Sequence, residues 1–159
     1  MGRTDLDNDD NRDALIARFN TNGNLDNTFG NNGVVTNIPN DSFSYSSVAV
    51  QADGKIVVAV TTDLGNNLRY AVIARFNPDG SLDKLFDTIN IDEGYNSVAI
   101  DDDGKIIAVG GVIRGADFEP DSLIARFLPN GVLDAESKSN LKSFRESAKN
   151  NNIPIALLG

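Results

Sequence analysis

The tetrapeptide Ile-Ala-Arg-Phe occurs three times, at 16–19, 73–76 and 124–127, and the text around each copy recurs with it. Asn22-Gly23-Asn24-Leu25-Asp26 follows the first, Asp79-Gly80-Ser81-Leu82-Asp83 the second and Asn130-Gly131-Val132-Leu133-Asp134 the third. A second block, Ser47-Val48-Ala49-Val50 then Asp53-Gly54-Lys55-Ile56, returns 50 residues later as Ser97-Val98-Ala99-Ile100 then Asp103-Gly104-Lys105-Ile106. The arginines of the first block lie 57 and 51 residues apart. The extra length falls in the polar stretch between Phe29 and Ser46, where a surface loop absorbs it at small entropic cost. Self-similarity of this kind restricts the chain to architectures made by stacking like units.

Each unit reads as strands. Lys55–Thr62 and Lys105–Ile113 are short runs rich in β-branched residues entered from Asp-Gly, the signature of a strand leaving a tight turn. Asp13–Asn20 and Tyr70–Asn77 are apolar through the middle without clean alternation, as expected of strands covered on both faces. Together with Ser46–Gln51 and a weaker candidate at Leu85–Ile91, one repeat holds four strands, which predicts a four-stranded antiparallel meander. Repeats of ~40–50 residues with four strands mark the blade of an all-β propeller, with a β-solenoid array as the rival.

Composition narrows the function classes. With 23 acidic residues against 14 basic ones the formal charge is −9, which repels a phosphate backbone, so neither nucleic acid nor an anionic membrane is an expected partner. The sequence contains no cysteine and no histidine, which removes thiolate metal sites, thiol nucleophiles, Ser-His-Asp triads and imidazole bases. The apolar runs fall short of the ~20 residues a membrane helix needs, so membrane insertion is not expected either. The start, Met1 to Asp5, lacks the apolar stretch of a signal peptide.

In each repeat block an arginine precedes an aspartate by eight residues: Arg18 with Asp26, Arg75 with Asp83, Arg126 with Asp134. A hairpin folded midway brings the two side chains together, and an ion pair bracing the turn is the economical reading. The alternative is that each aspartate accepts backbone N–H bonds two or three residues on. A catalytic residue is needed once per site and a bracing residue once per blade, so triplication points to architecture. Asp101-Asp102-Asp103-Gly104 is read as a turn, because successive carboxylates on extended chain point apart. Asp5, Asp7, Asp9 and Asp13 alternate as in a calcium loop, but Asp10 and Ile16 stand where that loop wants Gly and Glu. Asp5, Asp7 and Asp9 are weak metal candidates, with calcium the ion in question and no cofactor otherwise expected. Tyr45 and Tyr95 precede equivalent strands and are expected to pack between blades with their hydroxyls at the rim.

The residues Ala74 to Phe86, ARFNPDGSLDKLF, and Gln51 to Val60, QADGKIVVAV, resemble the delta-60 repeat family. Leu25-Asp26-Asn27-Thr28-Phe29-Gly30 adds that family's Phe-Gly ending, and the likeness runs over roughly 13–134. The resemblance implies β-propeller-like blades in bacterial surface-exposed or secreted proteins, and it carries no catalytic residues. Leu85-Phe86-Asp87 departs from the pattern in lacking the glycine.

The chain is accordingly expected to hold about two to two and a half repeats over 1–134, opening and closing out of phase with its own period. Residues 135–159 are expected to form a tail, with an amphipathic helix over Ser137–Asn150 and an apolar end, Ile153–Gly159, that reads equally as a last strand or the start of a following domain. Open sheet edges at both ends need covering. That predicts a portion of a longer repeat chain, or a homo-oligomeric ring in which opening strands of one copy complete the unfinished unit of another. The expected function is a non-catalytic structural or binding module with a protein or glycan partner. A lectin holding glycan between blades through Asn31, Asn32, Asn66, Asn67 and Asp117 is the alternative, and an enzyme ranks third.

Overall fold

The computed structural model describes residues 2–4, 13–36, 43–63, 69–90, 93–113, 120–135 and 155–157. Its strands are β1 (Gly2–Thr4), β2 (Asp13–Ala17), β3 (Val34–Val35), β4 (Phe43–Val50), β5 (Ile56–Asp63), β6 (Arg69–Phe76), β7 (Leu82–Asn90), β8 (Glu93–Ile100), β9 (Ile106–Ile113), β10 (Pro120–Phe127) and β11 (Ile155–Leu157). They form three sheets, ordered β1-β2-β3, β4-β5-β6-β7 and β11-β10-β9-β8, so each repeat is one sheet.

The middle sheet is the antiparallel meander that the repeat predicts. Its neighbours are variants of it. Among the described residues the first sheet has no counterpart of β4. Its fourth strand is interrupted: Phe29 N–H donates to the Asp26 carbonyl in a turn that Gly30 continues at φ +55°, before β3 rejoins β2. The middle sheet has Asp87 where that glycine stands, and β7 continues from Leu82 to Asn90 with register shifts at Asp83 and Asp87, longer than the weak strand predicted over Leu85–Ile91. In the third sheet the fourth position is filled by β11, paired parallel to β10 with Ser122 opposite Ile155. Ile155–Leu157 of the apolar C-terminal end is therefore a strand, and the place that an opening strand of another copy was expected to fill is taken by the chain itself. Enough residues separate β10 from β11 for the crossover of roughly a dozen that parallel pairing requires. The helix predicted over Ser137–Asn150 lies outside the described residues.

Burial explains why β5 and β6 show no polar alternation. Ile56, Val58 and Val60 pack with Ile16, Phe29 and Val35 of the first sheet, while Val57 and Ala59 between them pack with Val98, Ile106 and Leu123 of the third. In β6, Val72, Ala74 and Phe76 join the first cluster and Ile73 the second. Successive side chains of a strand point to opposite faces, so a sheet sandwiched between two others must be apolar at every position. Tyr45 packs against the first cluster and Tyr95 lies wholly inside the second. The rim position expected for the tyrosine hydroxyls is therefore incorrect, because both oxygens are buried. Burial pushes the Tyr45 phenol well above its usual range.

Candidate functional site

The three equivalent hairpins have one geometry. In the second, Gly80 N–H donates to the Asn77 carbonyl and Asn77 N–H to the Ser81 carbonyl, while Asp79 Oδ1 accepts the Ser81 N–H at 2.8 Å. Asn22 and Asn130 play the part of Asp79 in the other two, accepting from Asn24 and Val132 at 3.0 Å each. The turn folds the chain so that residues eight apart lie side by side. Arg18 Nε donates to Asp26 Oδ2 at 2.9 Å, Arg75 Nε to Asp83 Oδ2 at 2.6 Å and Arg126 Nε to Asp134 Oδ2 at 2.9 Å. Asp26 also takes the other role weighed for it, accepting the Thr28 N–H at 3.0 Å and its hydroxyl at 2.6 Å.

Two further contacts had no signal in the spacing of eight. Lys55 and Lys105, from the recurrent Asp-Gly-Lys turns, place Nζ 3.3 Å from Asp83 and Asp134 respectively. Their shared 50-residue repeat was the available clue. The second contact lies between sheets. Arg18 Nη1 donates to the Pro78 carbonyl, and Arg75 Nη1 to the Pro129 carbonyl at 2.6 Å, each in the hairpin turn of the following sheet. Gln51 Nε2 reaches the same Pro129 oxygen at 3.3 Å. Each guanidinium also lies on a ring of its own sheet, Arg18 on Phe29 at 4.8 Å and Arg75 on Phe86 at 4.9 Å. A planar fork holds a carboxylate, a ring face and a carbonyl at once, which a lysine ammonium cannot do.

These contacts hold Asp26 and Asp83 in their charged form. Hydrogen bonds from Thr28 lower the Asp26 carboxyl below its ordinary 3.8, and hydrogen bonding from Arg75 does the same for Asp83. Asp79 is lowered chiefly by its bonds to Ser81. The folded chain thus binds these protons less tightly than the unfolded one. Their stabilisation is complete above 3.8 and is lost as pH falls through the depressed folded values. The melting temperature is expected to hold between neutrality and about pH 5 and to fall steeply below about 4, read by circular dichroism. A melting temperature that rises on acidification contradicts the brace.

Carboxylates kept ionised, each facing a guanidinium occupied by structural partners, are poorly suited to proton transfer at neutral pH. Among the described residues no group of three or more Asp or Glu side chains is placed to hold a metal ion. Asp5, Asp7 and Asp9 lie outside those residues, as do Asn66, Asn67 and Asp117. In Asp101-Asp102-Asp103, Asp101 Oδ1 accepts the N–H groups of Asp103 at 3.0 Å and Lys105 at 2.8 Å, which is turn chemistry. Asn32 Nδ2 donates to Asn31 Oδ1 at 3.3 Å.

The family pattern described as a domain of unknown function (DUF5122) beta-propeller matches residues 2–29, 51–86 and 102–136, more than half of the chain. The chain belongs to the DUF5122 β-propeller family. Each matched segment contains one complete Arg–Asp brace, and the second and third also contain the Asp-Gly-Lys turn that leads into their sheets. Strands β4 and β8 lie outside the DUF5122 segments, so the recurrent part of the family pattern is the braced hairpin with the strand before it. No curated protein matches this sequence.

Proposed function

We propose that this DUF5122 chain is a non-catalytic structural and binding module whose units are delta-60 repeats, drawn from a bacterial surface or secreted protein and able to add sheet upon sheet. The observation that supports this reading is that the same Arg–Asp brace recurs once per sheet. At both internal junctions its free end is spent on the neighbouring sheet's turn. A side chain committed in three directions holds architecture together.

Stability set against activity tests the reading. Asp83→Ala leaves the largely buried Arg75 without its carboxylate and is expected to cost about 1–2 kcal/mol, below the full value for a buried pair because Asp83 is partly exposed. An unchanged melting temperature contradicts the structural role. Hydrolysis of generic glycosides that Asp83→Ala abolishes would overturn the non-catalytic reading. Saturable binding to a defined sugar on a glycan array would replace it with the lectin.

A further inference from the structure

The two end faces of the stack are halves of the junction that the chain makes twice internally, and we infer that a second copy of this chain joins them head to tail. The inference rests on the proposal above that sheets add to sheets. The head is the far face of the first sheet. Phe76 and Phe127 are 0% and 1% exposed because each packs against the preceding sheet, whereas Phe19, at the same repeat position, is 62% exposed. Leu15 and Ala17 share that face with Phe19 and are only half-buried, where their equivalents Val72 and Ala74 are buried.

The tail is the far face of the third sheet. Val109 is 38% exposed where its equivalent Ala59 is fully covered, and Ile107 is half-buried where Val57 is fully covered. Arg126 is clamped to Asp134 like the other two arginines. Arg18 and Arg75 give an Nη1 proton to the residue after Asn77 or Leu128, namely Pro78 or Pro129. In the first hairpin that position is Thr21, so the Thr21 carbonyl of a second copy is the acceptor that matches Arg126. The Arg126 fork is already oriented by Asp134 and pays little ordering entropy on docking.

The sheet count selects the stoichiometry. Two copies of a three-sheet chain give six blades, within the range of about four to eight found in closed propellers, and three copies exceed it. Head-to-tail contacts form rings when the rotation closes. By sequence the junction is less apolar than the internal ones, since the third repeat carries Ser137 where the first two carry Phe29 and Phe86. Assembly is therefore expected to be reversible.

Light scattering on the 159-residue chain, separated by gel filtration, tests this. The expected mass is twice 17.0 kDa. Phe19→Asp on the head and Val109→Asp on the tail, both exposed in the single chain, are each expected to give 17.0 kDa with an unchanged circular dichroism spectrum. Mixing those two variants is expected to restore the doubled mass, because one of the two junctions then joins unaltered faces. Thr21→Pro, which installs the residue of the other two turns and keeps the carbonyl, should leave the dimer intact. Arg126→Lys should raise its dissociation constant about tenfold. A wild-type mass of 17.0 kDa, any other stoichiometry, a dimer that survives both aspartates, or no recovery on mixing overturns the head-to-tail pairing. A monomeric wild type that Asp83→Ala still destabilises would defeat this inference and leave the module reading standing.

Discussion

Gly131→Ala is expected to destabilise the chain by about 2–5 kcal/mol, and Gly23→Ala, at the same position of the first hairpin, by only about 1–2 kcal/mol. The two glycines have nearly the same backbone, φ +81° at Gly131 and +84° at Gly23, so the conformational penalty of an L side chain is shared. Their surroundings differ. A Cβ on Gly131 would stand 2.0 Å from Phe86 Cε1, and one on Gly23 meets nothing within 4 Å. Phe86 cannot swing away, since it is buried between two sheets. The excess at Gly131 therefore measures how closely the third sheet's turn sits on the second sheet. Urea denaturation of the two variants reads it directly, and equal losses would mean that this turn touches no neighbour.

Phe86→Ala carries the second large effect, a loss of about 3–5 kcal/mol. The ring is 1% exposed, stacks on Phe127 of the next sheet with centroids 6.1 Å apart, and supports the Arg75 guanidinium that reaches Pro129. Removing it opens a cavity at the centre of the second junction and takes the platform from under the brace. The denaturant midpoint should fall with little change in slope, because the surface exposed on unfolding is nearly the same. A loss below about 1 kcal/mol would place Phe86 outside any packed junction.

The sequence carried the strands and their grouping into blades because two signals coincide there: Asp-Gly or Asn-Gly where the backbone needs positive φ, and unbroken apolar runs where a sheet is covered twice. The brace was legible for a similar reason, since a spacing of eight around a tight turn fixes which side chains meet. What escaped depends on neighbours distant in the chain. The Arg75 bond to Pro129 joins residues 54 apart and exists only once the sheets have stacked, so no local pattern announces it. The parallel pairing of β11 is set by where the C-terminal end finds an open edge, which the text Ile155-Ala156-Leu157 does not encode. That the described residues of the first sheet include no counterpart of β4 shows in Val48, 44% exposed against 6% for its equivalent Val98, which β4 covers. The two sequences around these valines are nearly the same, and the difference lies in what stands opposite.

Consecutive repeats lie face on face, with Phe86 of the second and Phe127 of the third forming one contact. A double-mutant cycle on Phe86→Leu and Phe127→Leu measures that contact by itself. Stacked sheets predict a coupling of about 0.5–1.5 kcal/mol, the range for paired aromatic rings in contact. Losses that add to within about 0.3 kcal/mol would show that the two rings do not meet, and would contradict the stack.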